Sequence, residues 1–225
     1  MPVISFANSK GGSGKSTSAL ILACELVEAA SVAFIDADPR RPIHAWSKMS
    51  KPPHGDRFKV ISSRGERHVQ DEINTSAEES QFVIVDLEGS ASRLADFAFA
   101  ESDLVIIPAQ EQHQDAQAAL DTLGEVRRQG RALRRDVPAA LLFTRTRVAV
   151  KSRTARHVSS EVRKIEGLHV FDVEIAERDA YSALFATGGG LRQLDPKTVN
   201  GLERAVENAH AFAQETIRIN KESET

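Results

Sequence analysis

Glycine, lysine and hydroxyl residues are concentrated near the start of the chain, in the segment SKGGSGKST at 9–17. An apolar run at 2–7 precedes this segment, and a helical pattern at 19–23 follows it. Glycines let the backbone turn so that successive N–H groups point at one anion, and a helix N-terminus adds its positive dipole end. The segment therefore predicts a phosphate-binding loop, with Lys15 on the β- and γ-phosphates and the Ser16 hydroxyl on Mg²⁺. A simple glycine turn between a strand and a helix is the alternative.

Aspartates follow two later apolar runs. Asp36 and Asp38 come at the end of the run 32–35, and Asp86 ends the run 82–85. Apolar runs that alternate with helical patterns predict a parallel sheet, and ligands of such sheets gather at the carboxyl ends of the strands. We therefore expect these carboxylates beside the phosphates, where they can hold the shell of a Mg²⁺ ion and orient a water. For Asp36 and Asp38, ordinary turn aspartates before a proline are the alternative.

The elements that position these residues predict an α/β fold of the P-loop NTPase kind. We expect a three-layer sandwich, in which a mostly parallel, twisted sheet carries helices on both faces. The whole chain, 1–225, is predicted to be one domain with a frayed tail at 221–225. Strands are predicted at 2–7, 32–35, 58–61, 82–86, 104–108, 139–143 and 170–172. Helices are predicted at 19–30, around 43–46, at 66–77, at 116–126, from 151 onward, and at 195–220.

The composition suits one globular domain with a sizeable core, since 41% of the 225 residues are hydrophobic and 27% are charged. The net charge of −3 gives no global signature of nucleic-acid binding. Cys24 is the only cysteine, which excludes a disulfide framework within the chain. The sequence has no apolar run of about 18 residues, so we expect no transmembrane helix. Because an apolar strand pattern begins at residue 2, we expect no signal peptide and a cytoplasmic protein.

The glycine loop departs from the usual pattern G-x-x-x-x-G-K-[ST], because Ser9 replaces its first glycine and Lys10 is added. This loop resembles the deviant Walker A motif of the ParA/MinD family of ATPases. The resemblance implies ATP and Mg²⁺ as ligands, and a nucleotide-sandwich homodimer in which Lys10 contacts the phosphates held by the partner subunit. A solvated loop lysine is the alternative. The segment from Asp36 to Pro39 resembles the D-x-D-P segment of the family, and the strand ending at Asp86 resembles its Walker B strand.

The resemblance assigns roles to these residues. It implies that Asp36 belongs to the Mg²⁺ shell and that Asp38 positions the attacking water, with Glu88 as a less favoured base. The catalytic residues it implies are Lys10, Lys15 and Asp38. The metal set is Ser16, Asp36 and Asp86, with the aspartates acting through water. The expected nucleotide-binding residues are Lys10, Gly11, Gly12, Ser13, Gly14, Lys15, Ser16, Thr17, Thr144 and Arg145, of which the last two follow the strand that usually frames the base. A segment from Ile175 to Tyr181 resembles the family's adenine-flanking I-x-x-R-x-x-Y/F motif.

Basic residues are concentrated between 127 and 164, where twelve Lys and Arg face only two acids. Such a block on an acidic protein is typical of a surface that binds phosphate backbones, and the scarcity of aromatics favours duplex DNA over single strands. Lys151, Arg153 and Arg156 are the predicted DNA contacts, because they open a helix after a strand end near the nucleotide. We expect the arginines of 127–135 on the opposite side of the sheet. An ordinary solvated helix face is the alternative.

The resemblance is closest to small plasmid-type ParA partition ATPases that have no N-terminal helix-turn-helix domain. It implies a slow ATPase whose ATP-bound dimer holds nonspecific DNA on the nucleoid and releases it on hydrolysis stimulated by a ParB-like centromere-binding partner. One alternative is a MinD-like membrane-associated positioning ATPase. The mixed charge of the tail argues against that alternative, so we expect no stable membrane association. Further alternatives are a DNA-transfer accessory ATPase, a metabolic enzyme such as dethiobiotin synthetase, and a non-catalytic DNA-binding protein that keeps only ATP binding. The single cysteine argues against the related iron–sulfur reductases.

Overall fold

The computed structural model describes residues 1–147 and 150–223. A parallel sheet forms its centre, with the strand order β3-β2-β4-β1-β5-β6-β7. Strand β8 also pairs with β6, nearer the carboxyl end of β6 than β7 does. The strands are β1 Val3–Phe6, β2 Val32–Ala37, β3 Phe58–Ser62, β4 Phe82–Leu87, β5 Leu104–Ala109, β6 Ala139–Thr146, β7 His169–Val170 and β8 Ile175–Ala176. The helices are α1 Lys15–Leu26, α2 Pro42–Met49, α3 Val69–Glu79, α4 Arg93–Glu101, α5 His113–Leu133, α6 Arg153–Val162, α7 Asp179–Thr187 and α8 Leu202–Ser223.

Two hydrophobic cores lie on the two faces of the sheet, which confirms the predicted three-layer α/β fold. Helices α1, α2, α7 and α8 pack on one face, and α3, α4, α5 and α6 pack on the other. The central strand β1 serves both cores, because Ile4 and Phe6 point to the first face while Val3 and Ala7 point to the second. Strands that are buried on both faces are apolar throughout, which is why continuous apolar runs predicted them.

The strand order places the functional loops at the middle of one edge of the sheet. Strand β1 lies between β4 and β5, so the loop after β1 begins at the centre of the carboxyl edge. Asp86 is in register with Phe6 on one side and with Asp36 on the other. The two aspartates that the sequence separates by 50 positions are therefore direct neighbours across the β2–β4 ladder.

Four elements differ from the sequence predictions. Helix α4 was not predicted, although Ser92 caps it by accepting a hydrogen bond from the Ala95 backbone N–H at 3.1 Å. Helix α7 and strand β8 were also not predicted. Helix α8 begins at Leu202 rather than at 195, because the chain first turns through Gly201, which has a φ of +66°. The same helix includes 221–223, where we expected a frayed tail, while 224–225 lie outside the described residues.

Helices α5 and α6 cover the same face of the sheet, which corrects the expected position of the arginines at 127–135. Val126 of α5 and Val158 of α6 belong to one core. The arginines lie instead toward the C-terminal end of α5, at the sheet edge opposite the glycine loop. Across residues 1–147 and 150–223, none of the helices combines the length and the apolar character needed to cross a bilayer.

Candidate nucleotide-binding site

The glycine loop joins β1 to α1 in a conformation that only glycine adopts easily at two positions. Gly12 has a φ of +75°, and Gly14, the residue before α1, has a φ of +95°. A side chain on Gly14 would also meet Thr144, since its Cβ would lie 3.1 Å from the Thr144 Oγ1 atom. The Thr144 hydroxyl donates a hydrogen bond to the Ser13 carbonyl at 2.6 Å, so β6 supports the loop from beneath.

Lys15 is buried at the first position of α1, and its ammonium donates to the Asn8 carbonyl at 3.3 Å. Burial lowers the pKa of Lys15, while the carboxylates of Asp86, Asp38 and Glu88 act in the opposite direction. The lysine thus sits among carboxylates inside the loop, in the place where a phosphate would bring further negative charge.

Asp86 is completely buried beside this lysine, and neither of its carboxylate oxygens has a hydrogen-bond partner in the structure. Burial raises the pKa of Asp86 to about 7, despite the nearby Ser16 hydroxyl. A buried carboxylate with two unpartnered oxygens is costly unless a cation or water satisfies it.

Asp36 divides its carboxylate between two tasks. Its Oδ2 atom accepts hydrogen bonds from the backbone N–H groups of Ile43 at 2.9 Å and His44 at 2.8 Å, in the first turn of α2. Its Oδ1 atom is buried without a partner. Burial raises the pKa of Asp36, and hydrogen bonds from the backbone N–H groups of His44, Ile43 and Asp38 act in the opposite direction. Only one oxygen of Asp36 is therefore available to a metal shell.

The residues at this edge fit a Mg²⁺ ion bound together with a nucleotide. The donor set is oxygen only: the Ser16 hydroxyl, the free oxygen of Asp36 and both oxygens of Asp86. Among the described residues, no three His, Cys, Asp or Glu side chains are grouped as a metal cage. Mg²⁺ keeps several waters and takes phosphate oxygens as ligands, so it does not require such a cage.

A cleft of about 930 Å³ opens above the loop and is lined by the predicted residues from both ends of the chain. Asp38 lines it half-buried, with its Oδ1 atom accepting from the Arg40 backbone N–H at 2.8 Å. Thr144 and Arg145 line it from β6, and the Arg145 guanidinium lies 3.6 Å from Glu177. The wall opposite the loop comes from 175–185, which includes the segment resembling the adenine-flanking motif. The remaining P-loop residues at this cleft are Gly11, Gly12, Ser16 and Thr17.

Lys10 is not among the described residues that line this cleft. Its ammonium lies 2.6 Å from the Oδ2 atom of Asp115, at the start of α5. Three further hydrogen bonds hold the loop. Asn8 accepts from the Lys10 backbone N–H at 2.8 Å, and Thr122 accepts from the Ser9 backbone N–H at 3.2 Å. Gln110 donates to the Gly12 carbonyl at 3.1 Å. Sequence reasoning missed Asp115 and Thr122, because nothing in the linear pattern of α5 separates them from solvent-facing polar residues.

The predicted DNA contacts differ in whether their charges are paired within the chain. Lys151 is paired with Glu111 at 2.7 Å and with Glu174 at 2.6 Å. Lys151 therefore stays a prediction, and we leave it out of the DNA surface proposed below because its charge is already compensated within the chain. Arg153 and Arg156 are exposed on the first turns of α6. Within the part of the chain that the structure describes, five exposed arginines on α5, on α6 and at the residue after α5 have side chains with no hydrogen bond, ion pair or ring contact: Arg128, Arg131, Arg134, Arg153 and Arg156.

Comparison with known proteins agrees with this geometry. A family model described as VirC1 protein matches residues 1–216. Protein ParA of Rhizobium radiobacter is 34% identical over 214 residues, which cover 95% of each chain. Among solved structures, the ATP complex of a Cyanothece McdA variant has a TM-score of 0.73 at 17% identity and covers 96% of each chain. A plasmid partition protein of Borrelia burgdorferi bound to AMPPNP has a TM-score of 0.71 at 21% identity, over 96% of this chain and 98% of its own. With its deviant glycine loop, its buried Asp86 and these relatives, the chain belongs to the VirC1 family within the ParA/MinD group of P-loop ATPases.

Proposed function

We propose that the chain is a DNA-partition ATPase, whose subunits pair face to face through bound ATP and Mg²⁺ and then hold nonspecific duplex DNA. The observation that carries this proposal is the juxtaposition of the Lys10–Lys15 loop with the buried, unpartnered carboxylate of Asp86. The relative named ParA, which matches almost end to end, supports the partition role. We place the protein in the cytoplasm, on nucleoid DNA.

Each residue at the cleft has a task in this proposal. The backbone N–H groups of the loop and the Lys15 ammonium bind the phosphates. Ser16, Asp36 and Asp86 hold the Mg²⁺ shell, and the bound ion supplies positive charge that neutralises the phosphate oxygens. Asp38, which lines the cleft close to the loop, orients the attacking water.

Lys10 of each subunit reaches the phosphates bound by the other and, together with Lys15, stabilises the negative charge that develops there. Hydrolysis is slow in the isolated dimer, because a switch needs a long-lived bound state. A ParB-like centromere-binding partner accelerates hydrolysis and so releases the DNA.

The DNA surface we propose consists of the exposed arginines of α5 and α6. Arg153 and Arg156 lie at the start of α6, on the carboxyl edge of the sheet where the nucleotide binds. Arg128, Arg131 and Arg134 extend the same face toward the opposite edge. Because these five guanidinium groups have no acidic partner within the described residues, they are available to phosphate oxygens. Pairing of two subunits would double this charge.

The test is binding to a short nonspecific duplex, followed by fluorescence anisotropy, with ATP, with ADP and without nucleotide. We expect binding only with ATP, and an affinity that falls steeply as KCl is raised. Equal binding in all three states would keep the DNA but exclude the nucleotide switch. An absence of binding in every state would contradict the partition role and favour a membrane or small-molecule partner.

A further inference from the structure

Lys10 is held within its own subunit by a buried carboxylate. The Lys10 side chain is 36% exposed, whereas that of Asp115 is only 1% exposed. Their 2.6 Å ion pair therefore joins a partly solvated ammonium group to a buried carboxylate. Asp115 lies in the first turn of α5, a 21-residue helix packed on the sheet, so the carboxylate cannot follow the lysine outward.

The loop around Lys10 is anchored in the same direction. Asn8 holds the Lys10 backbone N–H and in turn donates to the Pro108 carbonyl at 2.7 Å. Thr122, which follows Asp115 on α5, accepts a hydrogen bond from the Ser9 backbone N–H. The backbone of the loop is thus tied to β5 and α5, and only the flexible side chain of Lys10 is free to change partners.

We propose that Asp115 is a positioning residue for Lys10, which keeps the lysine on its own subunit and so sets how readily two nucleotide-bound subunits pair. This inference rests on the proposed function, since it requires Lys10 to reach the phosphates bound by the partner subunit. When Lys10 leaves, Asp115 remains buried as an uncompensated charge, and its Oδ1 atom has no hydrogen-bond partner to begin with. An abandoned buried charge is strongly unfavourable. Pairing must overcome this cost, and the bound phosphates provide the competing attraction.

Removing the carboxylate tests this mechanism directly. In the Asp115→Asn variant the buried group is neutral, so the departure of Lys10 costs less. With AMPPNP and Mg²⁺, sedimentation equilibrium should show a dimer dissociation constant at least about tenfold lower than that of the unmodified protein. The gain should vanish in a Lys10→Ala background, because no lysine then changes partners. An unchanged or weaker dimer in Asp115→Asn would overturn the proposal.

Asp121→Asn is the matched control, because Asp121 lies on the same helix and is exposed, and its carboxylate accepts a hydrogen bond from Gln117 at 3.0 Å rather than from the glycine loop. This variant should pair like the unmodified protein. If Asp115→Asn does not fold, Asp115→Ser provides a smaller polar replacement that also removes the charge. The same dimer measurement then decides the outcome.

A second readout needs neither nucleotide nor pairing. In the nucleotide-free protein, acetylation of Lys10 by an amine-reactive ester is followed by mass spectrometry and normalised to the exposed Lys51. We expect at least about threefold faster labelling of Lys10 in Asp115→Asn, because the ion pair no longer restrains the amine. Equal rates would contradict the holding role of Asp115. If the unmodified protein fails to pair with AMPPNP, the proposed function fails, and this labelling experiment still judges the ion pair by itself.

Discussion

At the scale of single residues, the site consists of charges that the fold leaves incompletely compensated. Among residues 1–147 and 150–223, the buried Lys15 ammonium finds only the Asn8 carbonyl as a hydrogen-bond acceptor, at 3.3 Å, and neither oxygen of the buried Asp86 carboxylate finds a donor. Such groups destabilise the nucleotide-free protein, since buried polar atoms are normally satisfied. A ligand that brings both phosphate oxygens and a divalent cation satisfies the lysine and the aspartate together.

Replacement of Lys15 by alanine should remove ATP binding while leaving the fold intact. The loss of charge-assisted hydrogen bonds to the phosphates predicts a decrease in affinity of at least roughly 100-fold. Titration with a fluorescent ATP analogue measures this affinity. Lys59→Ala is the control, because Lys59 is an exposed residue of the edge strand β3 and pairs with Glu79 of α3. Tight ATP binding by the Lys15 variant would contradict the assignment of the loop.

Replacement of Asp38 by alanine should separate binding from hydrolysis. Without a carboxylate to orient the water, ATP stays intact, so the variant should accumulate as an ATP-bound dimer. Size-exclusion chromatography with light scattering, together with a phosphate-release assay, measures both properties. A variant that remains monomeric with ATP would show that the roles of Asp36 and Asp38 are wrongly assigned.

At the scale of elements, helix α2 is fixed to the nucleotide site at its first turn and to the rest of the protein at its centre. Asp36 holds the first turn through the Ile43 and His44 backbone N–H groups. Trp46, which is 1% exposed, donates from its indole nitrogen to the Gly189 carbonyl at 3.2 Å. A displacement of Asp36 should therefore also displace α2 and, through Trp46, the glycine segment after α7.

Loss of the Asp36 carboxylate should loosen the start of α2 before it affects the rest of the fold. In an Asp36→Ala variant without nucleotide, hydrogen exchange of the Ile43 and His44 amides should become at least about fivefold faster, because a helix cap contributes about 1 kcal/mol or more. Ser92→Ala, which removes the cap of α4, is the control and should leave these two amides unchanged. Unaltered protection of both amides in Asp36→Ala would contradict the anchoring role.

The sequence predicted the elements whose patterns are local and missed those that depend on partners. Five of the six longer strands were predictable because they are largely buried on both faces and contain continuous apolar runs. The sixth, the edge strand β3, was predicted from the short run 58–61, although only Phe58 in it is fully buried. The acids at the ends of β2 and β4 could likewise be placed, since parallel strands end at one edge. The pairing of Lys10 with Asp115 could not be predicted, because it joins residues 105 positions apart through the packing of α5. Lys151 shows the same limit, since its charge was visible in the sequence and its partners Glu111 and Glu174 were not.

At the scale of the whole molecule, helix α5 connects the glycine loop with the proposed DNA surface. The N-terminal half of α5 contacts the glycine loop through Asp115 and Thr122, and its C-terminal half carries exposed arginines. Helix α6 begins on the nucleotide edge with Arg153 and Arg156. Lys10 therefore pairs with Asp115 on α5, the same helix that carries part of the proposed DNA surface.

The double replacement of Arg153 and Arg156 by alanine should weaken DNA binding without changing ATP binding. Removal of two phosphate contacts per subunit should reduce the slope of log affinity against log salt by about two for each subunit in contact. Anisotropy titrations across a KCl series measure this slope. Lys151→Ala is the matched control, because its ammonium is already neutralised, and it should leave the slope unchanged. Equal slopes for the double variant and the unmodified protein would remove α6 from the DNA surface.

The central position of β1 has a consequence for the order in which the protein can be made. Strand β1 ends at Phe6, but its two neighbours in the sheet begin at Phe82 and Leu104. During synthesis, β1 emerges before β4 and β5, so both of its edges stay unpaired until those two strands have been made. Contacts of such long sequence separation fold slowly and leave apolar strand edges exposed in the meantime. The nascent chain is consequently most vulnerable to aggregation before β5 has emerged, and the surroundings of the glycine loop are completed only after β4 and β5, although the loop precedes both in the sequence.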